Sequence, residues 1–320
     1  MTAGLIRLAC AALALCMPLA ARAETLNVGK GGPQAFPFAV VDVAIAEGFL
    51  QKRGIEAQLS NFDSATKIHQ ALATGDIDIA LASGPDMAFI AKGSPARSIA
   101  AMAGRPDSMG LVVAADSPIR TAEGLKGKTV SVTSTGSLTN WLAHELSKQQ
   151  GWGADGINVL ALGAQTSQVA ALKTHQTDAM VMDLTGAHRL EDLGEVRILV
   201  HFGTIVPDFH THVIHATNKF LASNPDAARR FLAAWFEAVA FMRSHKPETV
   251  KITANVMGVS EHLADLTYDD MMPMMSTDGC FDKKALAVLR RSYVEIGLLT
   301  EEPDMASLYT EEYLPAPCRH

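Results

Sequence analysis

The chain has 320 residues, of which 48% are hydrophobic and 19% are charged, and its formal net charge is −7. An acidic chain without a basic run is a poor candidate for binding nucleic acid or an anionic membrane surface. Its length accommodates one large domain or two medium-sized ones.

The first 23 residues have the three parts of a secretory signal peptide. Arg7 supplies the positive n-region, residues 8–19 form an apolar run, and Ala23 ends an A-x-A cleavage site. The apolar run is too short to span a bilayer. A lipoprotein signal ending at Cys16 is the alternative, but the bulky leucine directly before this cysteine suits it poorly. We therefore predict cleavage after Ala23 and export to the periplasm.

Cleavage would change both the cysteine count and the charge. It removes Cys10 and Cys16, leaves Cys280 and Cys318, and moves the formal charge from −7 to −9 because two arginines are lost. Two cysteines in an oxidising compartment can pair, and the sequence leaves this pairing open. No cysteine–histidine cluster with zinc-site spacing remains.

Short apolar segments alternate with amphipathic segments through the first two thirds of the chain. This alternation predicts an α/β architecture with mostly parallel sheets. The predicted strands span residues 26–29, 55–59, 77–82, 98–103, 111–115, 129–133, 157–162, 179–182, 197–202 and 211–216. Predicted helices include residues 38–51, 64–74 and 138–149, followed after residue 216 by 225–244, 247–257 and 283–296.

A short motif occurs twice and indicates two similarly built lobes. The pattern A-L-x-T-x-x-x-D at residues 71–78 recurs at residues 171–178, each time leading into a strand that ends in a polar turn. Ligands of open α/β sheets bind beyond the carboxyl ends of the strands, so two facing lobes would enclose a cleft. We predict a signal peptide at 1–23, lobe 1 at 24–115 plus 212–320, and lobe 2 at 116–211.

Two glycine-rich segments imitate nucleotide-binding motifs. "GLKGKT" at residues 124–129 has Ala122 where a P-loop needs its first glycine, and the strand follows the motif when it should precede it. "VGKGGPQAF" at residues 28–36 has Gln34 at the third glycine position of a dinucleotide fingerprint. We interpret the second segment as a loop in which Gln34 and Phe36 face a ligand.

The segment "HFGTIVPDFHTHVIH" contains four histidines. His210 and His212 would share one face of a strand, but no third ligand is recognisable, so we predict no metal site. We place His210 on a crossover facing the cleft. No G-x-S-x-G elbow or H-E-x-x-H helix occurs, and nothing local supports a serine–histidine–acid triad.

A hydroxyl-rich turn at residues 133–139 opens the helix predicted at 138–149. Ser137 can cap this helix, and the hydroxyls of Thr135 and Thr139 would surround its positive end. Such a helix start can hold an anionic group without a buried countercharge. An ordinary capped helix start explains this turn equally well.

Four stretches resemble a known family. "AIAEGFLQKRGIEAQL", "ALATGDIDIALASG", "GLKGKTVSV" and "ALKTHQTDAMVMD" occur in the same order in the periplasmic substrate-binding proteins of ABC importers, in the nitrate/sulfonate/taurine and thiamine-precursor group. The likeness spans nearly all of the mature chain. It implies a two-lobed, type II periplasmic-binding-protein fold that closes on its ligand and passes it to an inner-membrane permease.

The resemblance also implies which residues contact the ligand, namely those in the loops at the strand ends. These are Gln34, Phe36, Asp63, Ser64, Ser83, Gly84, Asp86, Ser134, Thr135, Ser137, Thr139, Asp183 and His210. The chain departs from a sulfonate site because no arginine occupies a clear cleft position.

We therefore predict a monomeric, non-enzymatic binding protein without a cofactor. Its ligand would be a small organic anion of the sulfonate or carboxylate type with nitrogen-bearing or aromatic character. A pyrimidine-type thiamine precursor is the alternative ligand. The alternatives of another class are an enzyme on the same scaffold, related to thiamine-pyrimidine synthesis, and a sensor that presents its ligand to a signalling partner.

Overall fold

A computed structural model of the chain describes residues 23–32, 35–153 and 155–319. The predicted signal peptide, up to residue 22, lies outside the described residues. The strands are β1 (Glu24–Lys30), β2 (Ile55–Asn61), β3 (Ile79–Ser83), β4 (Ala96–Ala103), β5 (Met109–Ala114), β6 (Thr129–Val132), β7 (Asn158–Ala161), β8 (Ala179–Asp183), β9 (Val196–His201) and β10 (His212–Thr217).

Helices cover both sheets, and five of the six predicted ones lie within one residue of their predicted bounds. The helices are α1 (Val40–Ala46), α2 (Ala65–Thr74), α3 (Met87–Ala91), α4 (Leu138–Gln149), α5 (Gln165–Lys173), α6 (Leu184–Asp192), α7 (Asn218–Ser223), α8 (Pro225–Ser244), α9 (Lys246–Met257), α10 (Glu261–Met271) and α11 (Lys283–Glu295). The helix predicted at 38–51 is shorter than expected. It ends at Ala46 because Gly48 adopts a left-handed conformation with φ of 70°.

The strands form two five-stranded mixed sheets with matching topology. The first has the order β2-β1-β3-β10-β4 and the second has the order β7-β6-β8-β5-β9. In each sheet, three neighbouring strands pair in parallel. The next strand in the order, β10 in the first sheet and β5 in the second, runs antiparallel to both of its neighbours. We call the sheets with their helices lobe 1 and lobe 2.

The strand that we predicted as the last of lobe 1 belongs to lobe 2. β5 pairs with β8, where Met109 lies opposite Asp183, and with β9 on its other side. The chain therefore crosses between the sheets at residues 104–108, and the predicted boundary after residue 115 is corrected. The sequence could not locate this boundary because β5 is buried along its whole length, and a fully apolar strand fits either sheet equally well.

The repeated motif forms the same hydrogen bonds in both lobes. In lobe 1 the Asp78 carboxylate accepts a hydrogen bond of 2.9 Å from the backbone N–H of Asn27. In lobe 2 the Asp178 carboxylate accepts one of 2.9 Å from the backbone N–H of Thr129. In each case the aspartate ties the turn after a helix to the neighbouring parallel strand. The repeated sequence motif therefore corresponds to a repeated structural unit.

Two crossover segments, residues 104–108 and 202–211, connect the lobes. They lie side by side, since the Thr211 backbone N–H donates to the carbonyl oxygens of Ala103 and Gly104 at 3.0 and 2.9 Å. Helices beyond β10 also touch lobe 2. Lys148 of α4 forms an ion pair of 2.6 Å with Glu295 of α11, and α10 packs against α6.

The last third of the chain completes lobe 1. One face of α8 is buried, and its Phe231 and Trp235 are each 1% exposed. The C-terminal tail runs along the edge of β4 and is tied back by a disulfide between Cys280 and Cys318, so the pairing that the sequence left open is present. Within the described residues, no helix combines the length and apolar character needed to cross a membrane.

Candidate functional site

A cavity of about 400 Å³ lies between the lobes, beyond the carboxyl ends of β3 and β8. We call it the interlobe cavity. Both lobes contribute to its walls, and helices α2, α4, α5 and α6 begin beside it. Its apolar lining includes Phe38, Phe62, Met109, Leu138, Met180 and Met182. Its volume and mixed lining are typical of a site for a small molecule.

Asp86 is the buried carboxylate of the lobe 1 wall. Its two oxygens accept hydrogen bonds from the Ser83 backbone N–H at 3.2 Å and from the Ser83 hydroxyl at 2.5 Å. Burial raises the pKa of Asp86 to about 7, although the Ser83 hydrogen bonds act in the opposite direction. Behind it, His69 Nε2 is 3.9 Å from an Asp86 oxygen, and burial holds the pKa of His69 well below its usual value. The histidine is therefore neutral and does not provide a countercharge.

Three linked hydroxyls form part of the lobe 2 wall, at the start of α4. The Thr139 hydroxyl is 2.9 Å from the hydroxyls of both Thr133 and Ser137, and it accepts a hydrogen bond of 3.0 Å from the Thr133 backbone N–H. Ser137 caps α4 by accepting from the Asn140 backbone N–H. These hydroxyls therefore cap the helix and line the cavity at the same time.

Asp183 provides the carboxylate of lobe 2, at the end of β8. Its Oδ1 atom caps α6 by accepting a hydrogen bond of 2.9 Å from the Thr185 backbone N–H. Its Oδ2 atom is buried and has no hydrogen-bond partner among the described residues. Burial raises the pKa of Asp183 to about 6, and the nearby donor groups of Thr185 and Gly186 act in the opposite direction.

Two further polar side chains line the cavity from opposite lobes. His212 of β10 packs edge-on against Phe38 with ring centroids 4.9 Å apart, and burial lowers the pKa of this histidine to about 3. Gln168 of α5 donates a hydrogen bond of 3.0 Å to the Gly163 carbonyl oxygen. The His212 Nδ1 and Gln168 Oε1 atoms are buried without a partner among the described residues.

Comparison with known families identifies the chain. Residues 36–249 match the family described as NMT1/THI5 like. The chain belongs to the NMT1/THI5-like family. A Brucella abortus (strain 2308) protein named only as a binding protein is 24% identical to it over 289 residues, which is 87% of this chain and 88% of that protein.

Solved structures share the fold of this NMT1/THI5-like protein. The alkanesulfonate-binding protein SsuA from Xanthomonas axonopodis pv. citri, bound to MOPS, has a TM-score of 0.77 at 17% identity, covering 89% of this chain and 98% of that one. The periplasmic nitrate-binding protein NrtA from Synechocystis PCC 6803 has a TM-score of 0.70 at 15% identity, covering 90% and 86%. The predicted fold class and family are therefore confirmed.

The structure brings about half of the predicted contact residues of the NMT1/THI5-like protein to the cavity wall. These residues are Asp63, Ser64, Ser83, Asp86, Ser137, Thr139 and Asp183. Their role in ligand binding stays a prediction. Gln34 lies outside the described residues.

Two predicted contact residues, Phe36 and His210, do not line the cavity. In each case the aromatic residue two positions later lines it. Phe36 is fully buried in the core of lobe 1, where its ring packs edge-on against Tyr268 at 6.2 Å, and Phe38 lines the cavity. His210 accepts a hydrogen bond of 2.9 Å from the Asp282 backbone N–H, whereas His212, the first residue of β10, lines the cavity. The two histidine rings therefore have different partners in the fold.

Three further predictions are corrected because the residues serve the backbone or face outwards. Gly84 lies against the main chain of the crossover, where an added Cβ would overlap the His210 carbonyl oxygen. The Ser134 hydroxyl is buried away from the cavity lining, and Thr135 is exposed to solvent. None of these three side chains lines the cavity.

Sequence reasoning missed the contribution of α5 to the cavity. Ala164, Gln165, Thr166 and Gln168 line it, and they hold the place in lobe 2 that the start of α2 holds in lobe 1. The repeated motif carried the signal, because its spacing aligns Ala65 at the start of α2 with Gln165 at the start of α5. Applying the repeat to the helix starts as well as to the helix ends would have located these residues.

One cysteine–carboxylate group could be mistaken for a metal site. Cys280, Glu311 and Cys318 are the only described residues whose ligand atoms cluster closely enough to hold an ion. The two cysteines are bonded to each other, so they offer no thiolate. We assign no metal to this group.

We expect Ser137→Ala to lower the free energy of unfolding by about 1 kcal/mol, because the Asn140 N–H loses its side-chain acceptor. Thr135→Ala serves as the matched control, since it removes a hydroxyl from the same turn at an exposed position. Urea denaturation of both variants measures the difference. Equal stability of the two variants would contradict the capping role of Ser137.

Proposed function

We propose that this protein is the solute-binding component of an ABC importer. It works as a monomer in the periplasm after cleavage at Ala23, captures a small organic molecule in the interlobe cavity and delivers it to a membrane permease. The observation that carries this proposal is the cavity itself, because two similarly built lobes enclose it and both contribute polar and apolar walls. The named functions of the relatives reported above support it.

The placement of the cavity links binding to closure. A ligand that contacts Asp86 in lobe 1 and Thr139 in lobe 2 is held by both walls only when the lobes are close together. Such a ligand binds the closed form more tightly and therefore shifts the population towards it. The paired crossover segments, residues 104–108 and 202–211, are where we place the bending.

The lining supports a ligand with a hydrogen-bond-accepting end and a flat or apolar middle. The start of α4, with the linked hydroxyls of Thr133, Ser137 and Thr139, favours an acceptor end such as a carboxylate or sulfonate. The rings of Phe38 and Phe62 favour a flat or apolar middle. Within the described lining no lysine or arginine offers a countercharge, which disfavours a bare oxyanion such as nitrate.

A pyrimidine-type thiamine precursor is the second candidate ligand. Its flat ring suits Phe38 and Phe62, and ring amino groups would donate hydrogen bonds to Asp183. An enzyme of thiamine-pyrimidine synthesis on this scaffold is the candidate from another class. It has less support, because the two cysteines within the described residues are bonded to each other and supply no free thiol.

We expect the radius of gyration to be smaller for the ligand-bound protein than for the empty protein. The protein is purified gently for one sample and is stripped of small molecules by denaturation and refolding for the other. Small-angle scattering of both samples measures the change, and mass spectrometry identifies what the first sample releases. The same radius for both samples, with a released ligand present in the first, would exclude closure on binding.

A further inference from the structure

Three side chains that line the interlobe cavity each carry one buried hydrogen-bonding atom, and these three atoms have no partner among the described residues. They are Asp183 Oδ2, Gln168 Oε1 and His212 Nδ1. Gln168 is 1% exposed and His212 is 5% exposed, so bulk water does not satisfy these side chains. The three residues come from both lobes and line one cavity.

The chemistry of these atoms is mainly that of acceptors. The Asp183 oxygen belongs to a carboxylate, whose other oxygen already caps α6. The Gln168 amide nitrogen already donates to the Gly163 carbonyl oxygen, which leaves the amide oxygen free to accept. Burial keeps His212 neutral, so one of its ring nitrogens is an acceptor. Buried acceptors left unpaired are unfavourable, and a group rich in N–H donors would satisfy them.

The charge of the cavity lining also favours a donor-rich group, provided that this group is positively charged. Its described lining contains the carboxylates Asp63, Asp86 and Asp183 and neither lysine nor arginine. The start of α6, which would otherwise attract an anion, is occupied by the Asp183 carboxylate itself. A positive group beside Asp183 would gain Coulomb energy, whereas an anionic group at the same position would be repelled.

We propose that Asp183, with Gln168 and His212, selects a ligand that carries a protonated amine or amidine. This inference rests on the proposed solute-binding function and names the class of ligand that the site accepts. Burial raises the pKa of Asp183 to about 6, so its carboxylate is mostly ionised at neutral pH and can pair with such a cation. The acceptor end of the same ligand lies at the start of α4.

Three probes of nearly the same shape test the selection. Benzamidine is a donor-rich cation, benzamide is its neutral analogue and benzoate is its anionic analogue. Titration calorimetry at pH 7.5 on protein stripped of small molecules should give an affinity for benzamidine at least about tenfold higher than for benzamide, with benzoate weaker still. A preference for benzoate would overturn the inference.

The variant Asp183→Asn removes the charge and keeps a side-chain oxygen that can cap α6. It should lower the affinity for benzamidine by about 10- to 100-fold and leave benzamide nearly unchanged. Asp116→Asn is the control, because Asp116 also belongs to lobe 2 but is exposed and does not line the cavity. Equal losses in the two variants would count against a specific role of Asp183.

The outcomes separate this inference from the proposed function. A ligand released from gently purified protein that contains a basic nitrogen supports both. A released carboxylate or sulfonate without a basic nitrogen overturns the inference and leaves the solute-binding function standing. Absence of any released small molecule, together with no binding of the three probes, overturns both.

Discussion

Replacing Cys280 and Cys318 with serine is expected to lower the free energy of unfolding by about 4 kcal/mol. The disulfide closes a segment with a sequence separation of 38 residues. In the chain-entropy view, a crosslink around a loop of this size removes roughly this much conformational freedom from the unfolded chain. Urea denaturation of residues 24–320, monitored by circular dichroism, measures the change for the double variant.

The structural reason for the disulfide lies at the edge of the lobe 1 sheet. The tail pairs with β4, where the Ser98 N–H donates to the Leu308 carbonyl oxygen at 3.0 Å and the Thr310 N–H donates to Ser98 at 2.9 Å. Without the crosslink the tail would separate from β4 more readily, and an uncovered strand edge favours aggregation.

Reductant provides the control for the disulfide prediction. It should destabilise the wild-type protein by a similar amount and leave the double serine variant unchanged. A double variant that is as stable as the oxidised wild-type protein would show that the tail is held by its other contacts. These include the hydrogen bond of 2.8 Å from the Phe281 N–H to the Glu311 carboxylate.

Replacing Asp86 with asparagine is expected to stabilise the protein at pH 8 by about 2 to 4 kcal/mol. The pKa of Asp86 is raised by burial from 3.8 to about 7. The folded state therefore binds the proton more tightly than the unfolded state, and the stability falls as the pH rises from about 4 to about 7. A shift of this size corresponds to at most about 4 kcal/mol, and loss of one Ser83 hydrogen bond reduces the gain.

The pH dependence has a defined sign and window. The stability that protonated Asp86 contributes is fully present below about pH 4 and is lost as the pH rises towards 7. Protonated Asp183 also contributes stability that is lost as the pH rises. Its pKa is raised only to about 6, so this loss covers a narrower pH range. The variant lacks the Asp86 contribution, so the stability difference between Asp86→Asn and wild type should grow from pH 4 to pH 8.

Thermal and urea unfolding at several pH values between 4 and 8 measure this difference. Asp63→Asn is the control, because it removes a carboxylate from the cavity rim, where the side chain is paired with Lys67 and half-exposed. A stability difference that stays constant with pH would mean that Asp86 does not titrate in this range. A buried carboxylate that destabilises the empty protein is consistent with a residue kept for binding.

The sequence alone determined the architecture, because the signals for it are local. Ser137 as the cap of α4 and Pro225 in the first turn of α8 set helix starts through contacts within a few residues. The repeated motif predicted two similar lobes, and Asp78 and Asp178 make equivalent hydrogen bonds in them. Capping, apolar periodicity and repetition act over short distances, so the sequence displays them directly.

Only the tertiary structure decided which side chains face the cavity. Phe36 turns into the core because Tyr268, from a helix far along the chain, packs against its ring, and Phe38 takes the cavity position. His210 accepts a hydrogen bond from the Asp282 N–H, and His212 lines the cavity. The direction of a side chain at a strand end depends on the partner that the fold brings to it, and the sequence does not display a contact between distant segments.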